Sequence, residues 1–481
     1  MLGVDPAKAD RNFRNRIGIV LQSSGVETEF TVREVIDLYS SAYSNPRSLD
    51  EVIGLTGLDE KVDAQVGSLS GGQKRRVDLA LGIVGRPEML FLDEPTTGFD
   101  PSARRKSWDL IEALIADGTT VLLTTHYLDE AEHLADRVGV LMQGRMVAEG
   151  PPADHCCPSA DRLGYRAVGR IGRVECAAGV ARRRVPRTHR RARRGERVVS
   201  GFPSNAALVV RQTRYQLKFF TRVPIALFFT LFLPIVMLIL FNALFGDDFV
   251  CGDDACTPGN RWPVSQFYTG GLAAYTAVSA TFTNLANMVP LRRDEGVLKR
   301  WRGTPLPTWT YIAGFVLSAV VIAMVGVLLM LTMGVVLYDL SIDWAKMPAA
   351  VLTFIVGVAS FAALGMALAS LVKSASSASA AANAVILPLA FISDVFVVSD
   401  RKNSFLNSVG NFFPLKPFVN AFQDCFSPIV DGPAFNPGSL AFVAAWGFVG
   451  LTIALKKFRW EPSGSAPRGR RSRAAAVEAA G

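Results

Sequence analysis

Beyond residue 205 the chain runs through stretches of seventeen to twenty-six residues with almost no charge. At about 1.5 Å of rise per residue, helices of that length cross the roughly 30 Å hydrocarbon core of a bilayer. The spans fall at roughly 225–246, 266–289, 312–337, 349–372, 375–398 and 439–455. They predict an all-α transmembrane domain of six helices over 206–460. Half of the 481 residues are hydrophobic and 19% are charged, with a mean hydropathy of +0.27. A wholly soluble or disordered chain is excluded, and six Cys are too sparse for a disulfide scaffold.

Charge orients the spans. Arg292, Arg293, Lys299, Arg300 and Arg302 lie between the second and third spans, and Lys456, Lys457 and Arg459 follow the sixth. The loop after the first span carries Asp247, Asp248, Asp253 and Asp254. The positive-inside rule then puts both termini on the cytoplasmic side of a multi-pass protein of the cytoplasmic membrane. Arg211–Arg222 mixes Tyr, Phe, Lys and Arg and suits an amphipathic helix on the bilayer surface. Residues after Met1 hold no apolar core of signal-peptide length, and Glu461–Gly481 reads as a disordered tail.

Residues 1–152 alternate short apolar runs with amphipathic ones, the pattern of an α/β domain. Arg16–Leu21, Met89–Leu92 and Thr120–Thr124 read as strands buried on both faces. Val138–Met142 and Arg145–Ala148 read as a hairpin turning at Gln143–Gly144. Between the halves, 153–205 is a linker expected to be disordered or out of frame. Residues 153–200 hold thirteen Arg against four acids, which accounts for the whole net charge of +9. The basic balance therefore belongs to one segment and does not mark a nucleic-acid-binding protein. Three readings stay open for that segment: anionic lipid headgroups, RNA, or out-of-frame translation of GC-rich DNA. The missing aromatics argue against RNA stacking, and the abrupt change at Pro152 favours the third.

The chemistry-bearing residues lie in the first half. Leu69-Ser70-Gly71-Gly72-Gln73 opens a helix: Ser70 can cap it, and the glycines expose backbone N–H groups to a phosphate. Taken alone, the pentapeptide also fits a Gly-rich turn into an ordinary helix. Met89-Leu90-Phe91-Leu92-Asp93-Glu94 is an apolar strand ending in two acids, at the sheet edge where α/β proteins bind ligands. Asp93 is the candidate Mg²⁺ ligand and Glu94 the candidate base that polarises a water. Thr97-Gly98-Phe99-Asp100 forms a turn, and the next strand ends at His126, placed to contact a γ-phosphate. Gln22, just past the first strand, can reach the metal and the attacking water.

This set resembles the nucleotide-binding domain of ABC transporters over about residues 3–150. Leu69–Gln73 match the signature and Leu90–Glu94 the Walker B strand; Gln22 matches the Q-loop, Thr97–Asp100 the D-loop and His126 the switch histidine. The resemblance implies ATP and Mg²⁺, and a dimer in which Ser70, Gly71, Gly72, Gln73 and Asp100 of one protomer face the other's nucleotide. The N-terminal P-loop portion is the departure: no G-x-x-x-x-G-K-[ST] occurs in the sequence. Leu291-Arg292-Arg293-Asp294-Glu295-Gly296 through Pro307 is similar to the cytoplasmic loop of type-2 ABC exporters, which docks on the nucleotide-binding domain. The subgroup most resembled is daunorubicin-resistance-like drug and antibiotic efflux, here with both halves fused.

The expected fold is thus an N-terminally truncated α/β P-loop-type ATPase domain followed by six transmembrane helices. The expected function is ATP-driven export of amphipathic drugs or antibiotics, impaired by the absent P-loop, so that the chain does not hydrolyse ATP alone. The rivals are a degenerate half-transporter or decayed gene product needing an intact ABC partner, and an exporter of lipid or polysaccharide. A homodimer and a heterodimer both stay open, with the bilayer and an amphipathic small molecule as further partners and no nucleic acid.

Smaller signals are weighed more evenly. Cys251 and Cys256 can form a small disulfide ring or stay free. His155-Cys156-Cys157 lacks the second pair a metal site needs. Asp394, near the outer end of the fifth span, is an intramembrane acid with an interfacial alternative. Asn284 and Asn287 can face a substrate path or bond a neighbouring helix.

Overall fold

A computed structural model describes residues 1–22, 25–142, 145–152, 201–246, 248–251, 261–396 and 404–460, and the backbone alone of 175–179, Cys251 and Ser404. The Cys251–Cys256 pairing, the tail after Trp460 and the rest of the Arg-rich stretch lie outside the described residues. The chain divides into two compact units: Met1–Gln212 with Glu295–Tyr311, and Thr213–Asp294 with Ile312–Gly481.

The first unit is built on a sheet ordered β1-β2-β3-β6-β4-β5. β1 (Ile17–Val20), β2 (Met89–Asp93) and β3 (Thr120–Thr125) are parallel neighbours. β4 (Arg137–Met142) and β5 (Arg145–Gly150) form the antiparallel hairpin. The expected burial on both faces holds for Ile17, Gly18 and Val20 of β1 and is corrected to one face in β2 and β3. In β2 and β3, Leu90, Leu92, Val121 and Leu123 are buried, whereas Met89, Phe91 and Leu122 are half-buried. The buried face packs on α4 (Gly71–Ile83) and α5 (Pro101–Ala116) through Leu79, Ile83, Leu110, Ile111 and Leu114.

The Arg-rich stretch carries one correction as well. Glu175–Gly179 forms β6, antiparallel to both β3 and β4. This run is free of Arg and Pro, so nothing in it opposes pairing.

Four further helices complete the N-terminal part: α1 (Arg11–Asn15), α2 (Val32–Ser40), α3 (Leu49–Thr56) and α6 (Leu128–Leu134). Thr31 and Glu34 close a capping box on α2, so its start is fixed by two reciprocal bonds. α7 (Asn205–Arg222) begins ahead of the expected interfacial segment and runs across the division between the units.

Among the described residues, five helices are long and apolar enough to cross a membrane. They are α8 (Pro224–Phe245), α12 (Thr308–Tyr338), α13 (Met347–Leu371), α14 (Ala375–Ile392) and α17 (Pro437–Lys457). The expected second span is helical from Val264 to Asp294 as α9 (Val264–Val278), a π-helical turn Ser279–Thr283 and α10 (Asn284–Asp294). It falls short of the apolar requirement because its neighbours are protein: Thr269, Gly270, Leu272, Ala273, Thr276 and Ala277 are all buried. The hydroxyls of Thr269, Thr276 and Thr281 donate to the carbonyls of Ser265, Leu272 and Ala277 one turn back, at 2.7–2.8 Å. Polar side chains satisfied within their own helix need no water.

Small residues let the helices close. A Cβ on Gly447 of α17 would sit 2.5 Å from Ser360 Oγ of α13. Two short helices, α15 (Ser404–Phe412) and α16 (Leu415–Asp424), follow α14. Asp394 is not a lone acid: its Oδ2 lies 3.0 Å from Lys416 Nζ of α16, which also donates to Asn407 Oδ1 at 2.8 Å.

At the other end of the bundle, Arg293 of α10 donates to Ala369 O and Val372 O at the end of α13, at 3.4 and 3.0 Å. Asp294 Oδ2 accepts from Ala375 N at the start of α14, at 2.7 Å. A cation at a helix C-terminus and an anion at an N-terminus are each the favoured sign.

Candidate functional site

Three parallel strands end side by side, and their C-terminal residues meet at Glu94. Gln22, two residues past β1, donates Nε2 to Glu94 Oε2 at 3.0 Å. Thr97 Oγ1 donates to the same oxygen at 3.3 Å. His126, just past β3, places Nδ1 3.3 Å from Glu94 Oε1. Thr124 Oγ1 donates to Asp93 Oδ1 at 2.6 Å. The register that pairs Asp93 with Thr124 puts these groups level at one sheet edge.

Glu94 has φ +47°, in the left-handed region that ordinary side chains avoid. Its N–H donates to Thr124 O at 2.9 Å, which holds the peptide in place. Burial pushes the Glu94 carboxyl up, but the bond from Gln22, the charge of His126 and the bond from Thr97 outweigh it. The carboxyl lies below its ordinary range and is an ionised acceptor at neutral pH. Such a group can take a proton from a water.

The signature segment is a separate surface. Ser70 Oγ accepts from Gln73 N at 3.3 Å and Gln73 Oε1 accepts from Ser70 N at 3.0 Å, a closed capping box. Among the described residues, nothing beyond the helix's own backbone lies within 4 Å of where a Gly71 Cβ would stand. Gly72 faces the Phe99 ring of the neighbouring turn. Asp100 caps α5 by accepting from Ala103 N at 2.8 Å and Ser102 N at 2.9 Å, and these bonds hold its carboxyl below the ordinary range.

Asp93, Thr124 and Gln22 offer hard oxygen donors. They fit Mg²⁺ of the kind held by one carboxylate together with a nucleotide's phosphates. Among the described residues no three His, Cys, Asp or Glu side chains cluster as a metal site.

Residues 295–311 pack into this same unit. α11 (Val297–Gly303) buries Val297, Leu298, Arg300 and Trp301. Its entry is tight: a Cβ on Gly25 would lie 2.5 Å from the Gly296 carbonyl, and Gly296 itself has φ +82°. Trp301 Nε1 donates to Glu27 Oε1 at 3.1 Å, and Arg300 is ion-paired with Asp78. Asp78 and Arg75, both buried on α4, were not legible as site residues. The one available signal is a pair of charges one turn apart on the apolar face of a helix.

Comparison with known proteins agrees with these two halves. The family described as ABC transporter matches residues 3–97, and the family described as ABC-2 type transporter matches residues 208–426. A Nod factor export ATP-binding protein I from Burkholderia orbicola is 44% identical over 152 residues, covering 31% of this chain and 50% of the relative. The protein so named from Rhizobium etli is 44% identical over 159 residues, covering 32% of this chain and 50% of the relative. The chain spans about half the length of the curated relatives it matches. A solved ATP-binding cassette dimer bound to ADP and Pi aligns over 31% of this chain and 68% of its own, at 24% identity and a TM-score of 0.29, too low to carry an argument. One polypeptide thus carries a segment similar to ABC transporters ahead of a multi-pass membrane segment similar to ABC-2 type transporters.

Proposed function

We infer that the chain is a subunit of an ATP-driven exporter that moves amphipathic drugs or antibiotics out through the cytoplasmic membrane, with both termini on the cytoplasmic side. The observation that carries this reading is the ionised Glu94 carboxylate ringed by Gln22, Thr97 and His126 at the strand ends. Glu94 accepts the proton of the attacking water, Gln22 orients that water, and His126 faces the departing phosphate. Asp93 would hold Mg²⁺, which would supply charge neutralisation at the phosphates. Ser70, Gly71 and Gly72 present their amides to the nucleotide of a second subunit, and Asp100 stands at the same face. The phosphate cradle comes from whichever segment or partner carries it. A second substrate class, of the Nod factor kind, is favoured by the names of the relatives.

Vanadate-sensitive ATP turnover in proteoliposomes tests this. Turnover by the chain alone, abolished by Glu94→Gln, supports a self-sufficient exporter. Turnover that needs a P-loop-bearing partner, and is lost in Ser70→Arg but kept in Glu94→Gln, supports a half-transporter lending only its signature. No turnover in either setting overturns the ATPase reading.

A further inference from the structure

Arg75 lies on α4, 8% exposed, and its guanidinium is spent on backbone carbonyls. Nε donates to Pro95 O at 3.1 Å, and Nη2 donates to Glu94 O at 2.7 Å and to Asp93 O. Nη1 donates to Leu21 O and, at 3.3 Å, to Gln22 O. One side chain thus ties the segment after β1, which presents Gln22, to the segment after β2, which presents Glu94. A left-handed non-glycine residue costs about 1–3 kcal/mol and persists only where its surroundings over-determine it. At Glu94 the outside support is the Thr124 carbonyl on one side of the residue and Arg75 on the other.

Asp78 stands one turn further along α4, 1% exposed. Its Oδ2 is 3.9 Å from Arg75 Nη1, a long contact, while Oδ1 is held close by Arg300 of α11. Two guanidinium groups share one buried carboxylate. Arg300 Nε and Nη1 have no hydrogen-bond partner among the described residues, so Asp78 is where its charge is met. If Arg300 is withdrawn, the pull of Asp78 on Arg75 is no longer shared with that second guanidinium. In a water-poor interior that attraction competes with the carbonyls for the guanidinium.

We propose that Arg75 is a positioning residue for the Gln22–Glu94 pair, and that Asp78 makes its grip depend on Arg300 in α11. When α11 is seated, Arg300 satisfies Asp78 and Arg75 stays on the carbonyls of Gln22 and Glu94. When α11 lifts, Asp78 reclaims Arg75, and the carboxylate loses its fixed relation to Gln22 and His126. The functional meaning rests on Glu94 acting as the hydrolytic base, but the geometry does not.

The test therefore reads geometry without ATP. The sequence holds four histidines, and His126 alone touches Glu94 among those described. The full-length protein in detergent micelles is labelled with ¹³C-histidine, and the His126 resonance is assigned by its loss in His126→Gln. The expected result is that Arg300→Gln, Asp78→Asn and Arg75→Lys each move that resonance toward its position in Glu94→Gln. His133, 3.6 Å from Glu112 on the far side of α5, stays in place as the fold control. Arg300→Lys keeps a cation at Asp78 and restores much of the original position. A His126 resonance that does not move in a folded Arg300→Gln protein overturns the proposal, as does equal displacement in Arg300→Gln and Arg300→Lys. Should Arg75→Lys fail to fold, the two Arg300 variants decide alone. Because no nucleotide is present, failure here is distinct from failure of the turnover assay.

Discussion

Trp301 lies flat on Tyr39, with ring centroids 4.0 Å apart and planes 15° from parallel. The two side chains also share Glu27: Trp301 Nε1 donates to one carboxylate oxygen at 3.1 Å and the Tyr39 hydroxyl to the other at 3.4 Å. Glu27 is only five residues past Gln22, so the segment that touches Glu94 at one end grips α11 at the other. Burial, reinforced by the charge of Glu27, holds the Tyr39 hydroxyl well above its ordinary range, so it stays a proton donor at any working pH.

Trp301→Ala empties the largest fully buried side-chain site and removes a donor from Glu27. A loss of about 3–5 kcal/mol is the usual cost of such a truncation. Hydrogen exchange is expected to rise in α2 and α11 while β2 and β3 stay protected. Trp301→Phe keeps the stack and leaves one Glu27 oxygen without its donor, a cost of about 1–3 kcal/mol. Equal exchange in the wild type and Trp301→Ala would contradict the packing.

Glu94 gives a pH dependence of definite sign. Its folded carboxyl titrates below the ordinary range, so ionisation contributes stability above that range. That contribution is lost as pH falls through the lower, folded value. The melting-temperature difference between wild type and Glu94→Gln is therefore expected to shrink on acidification below the ordinary carboxylate range. A difference that grows there would reverse the assignment.

Buried Lys416 is paired with half-buried Asp394, so their removal is expected to be non-additive. Asp394→Asn takes the carboxylate from a buried ammonium, at about 3–5 kcal/mol, and Lys416→Met is expected to cost less. The double variant is expected to melt closer to wild type than either single one. Simple additivity in a double-mutant cycle would show that the two groups do not interact.

Gly447 and Ser360 set the separation of α17 and α13. Gly447→Val forces the helices apart or distorts them, at about 1–3 kcal/mol for overpacking. Ser360→Gly in the same protein relieves the clash and is expected to recover much of the lost melting temperature.

The positions of the strands and of Gln22, Asp93, Glu94 and His126 were legible because each belongs to a local pattern. An apolar run must end where polar chemistry begins, and parallel strands bring those ends level. The relation of Asp78 to Arg300 was not legible, because 222 residues separate them and a charge run between spans reads equally well as a solvated loop. Arg75 hides inside Lys74-Arg75-Arg76, where nothing local says which of the three turns inward. The expected second span is less apolar than the others for a related reason. Apolar length reports contact with lipid, and the helix from Val264 to Asp294 is surrounded by other helices. The partner of Asp394 was hidden because it sits on a short helix beyond residues that no periodicity ties to α14.

The paired caps at Arg293 and Asp294 have a mechanical consequence. The end of α13 and the start of α14 are separated by only Val372, Lys373 and Ser374, which resembles a joint. With one residue of α10 bolted to each side, that joint cannot bend independently. A torque delivered along α10 reaches two membrane helices at once, in fixed proportion. The ends of α10, α13 and α14 therefore move together rather than one by one.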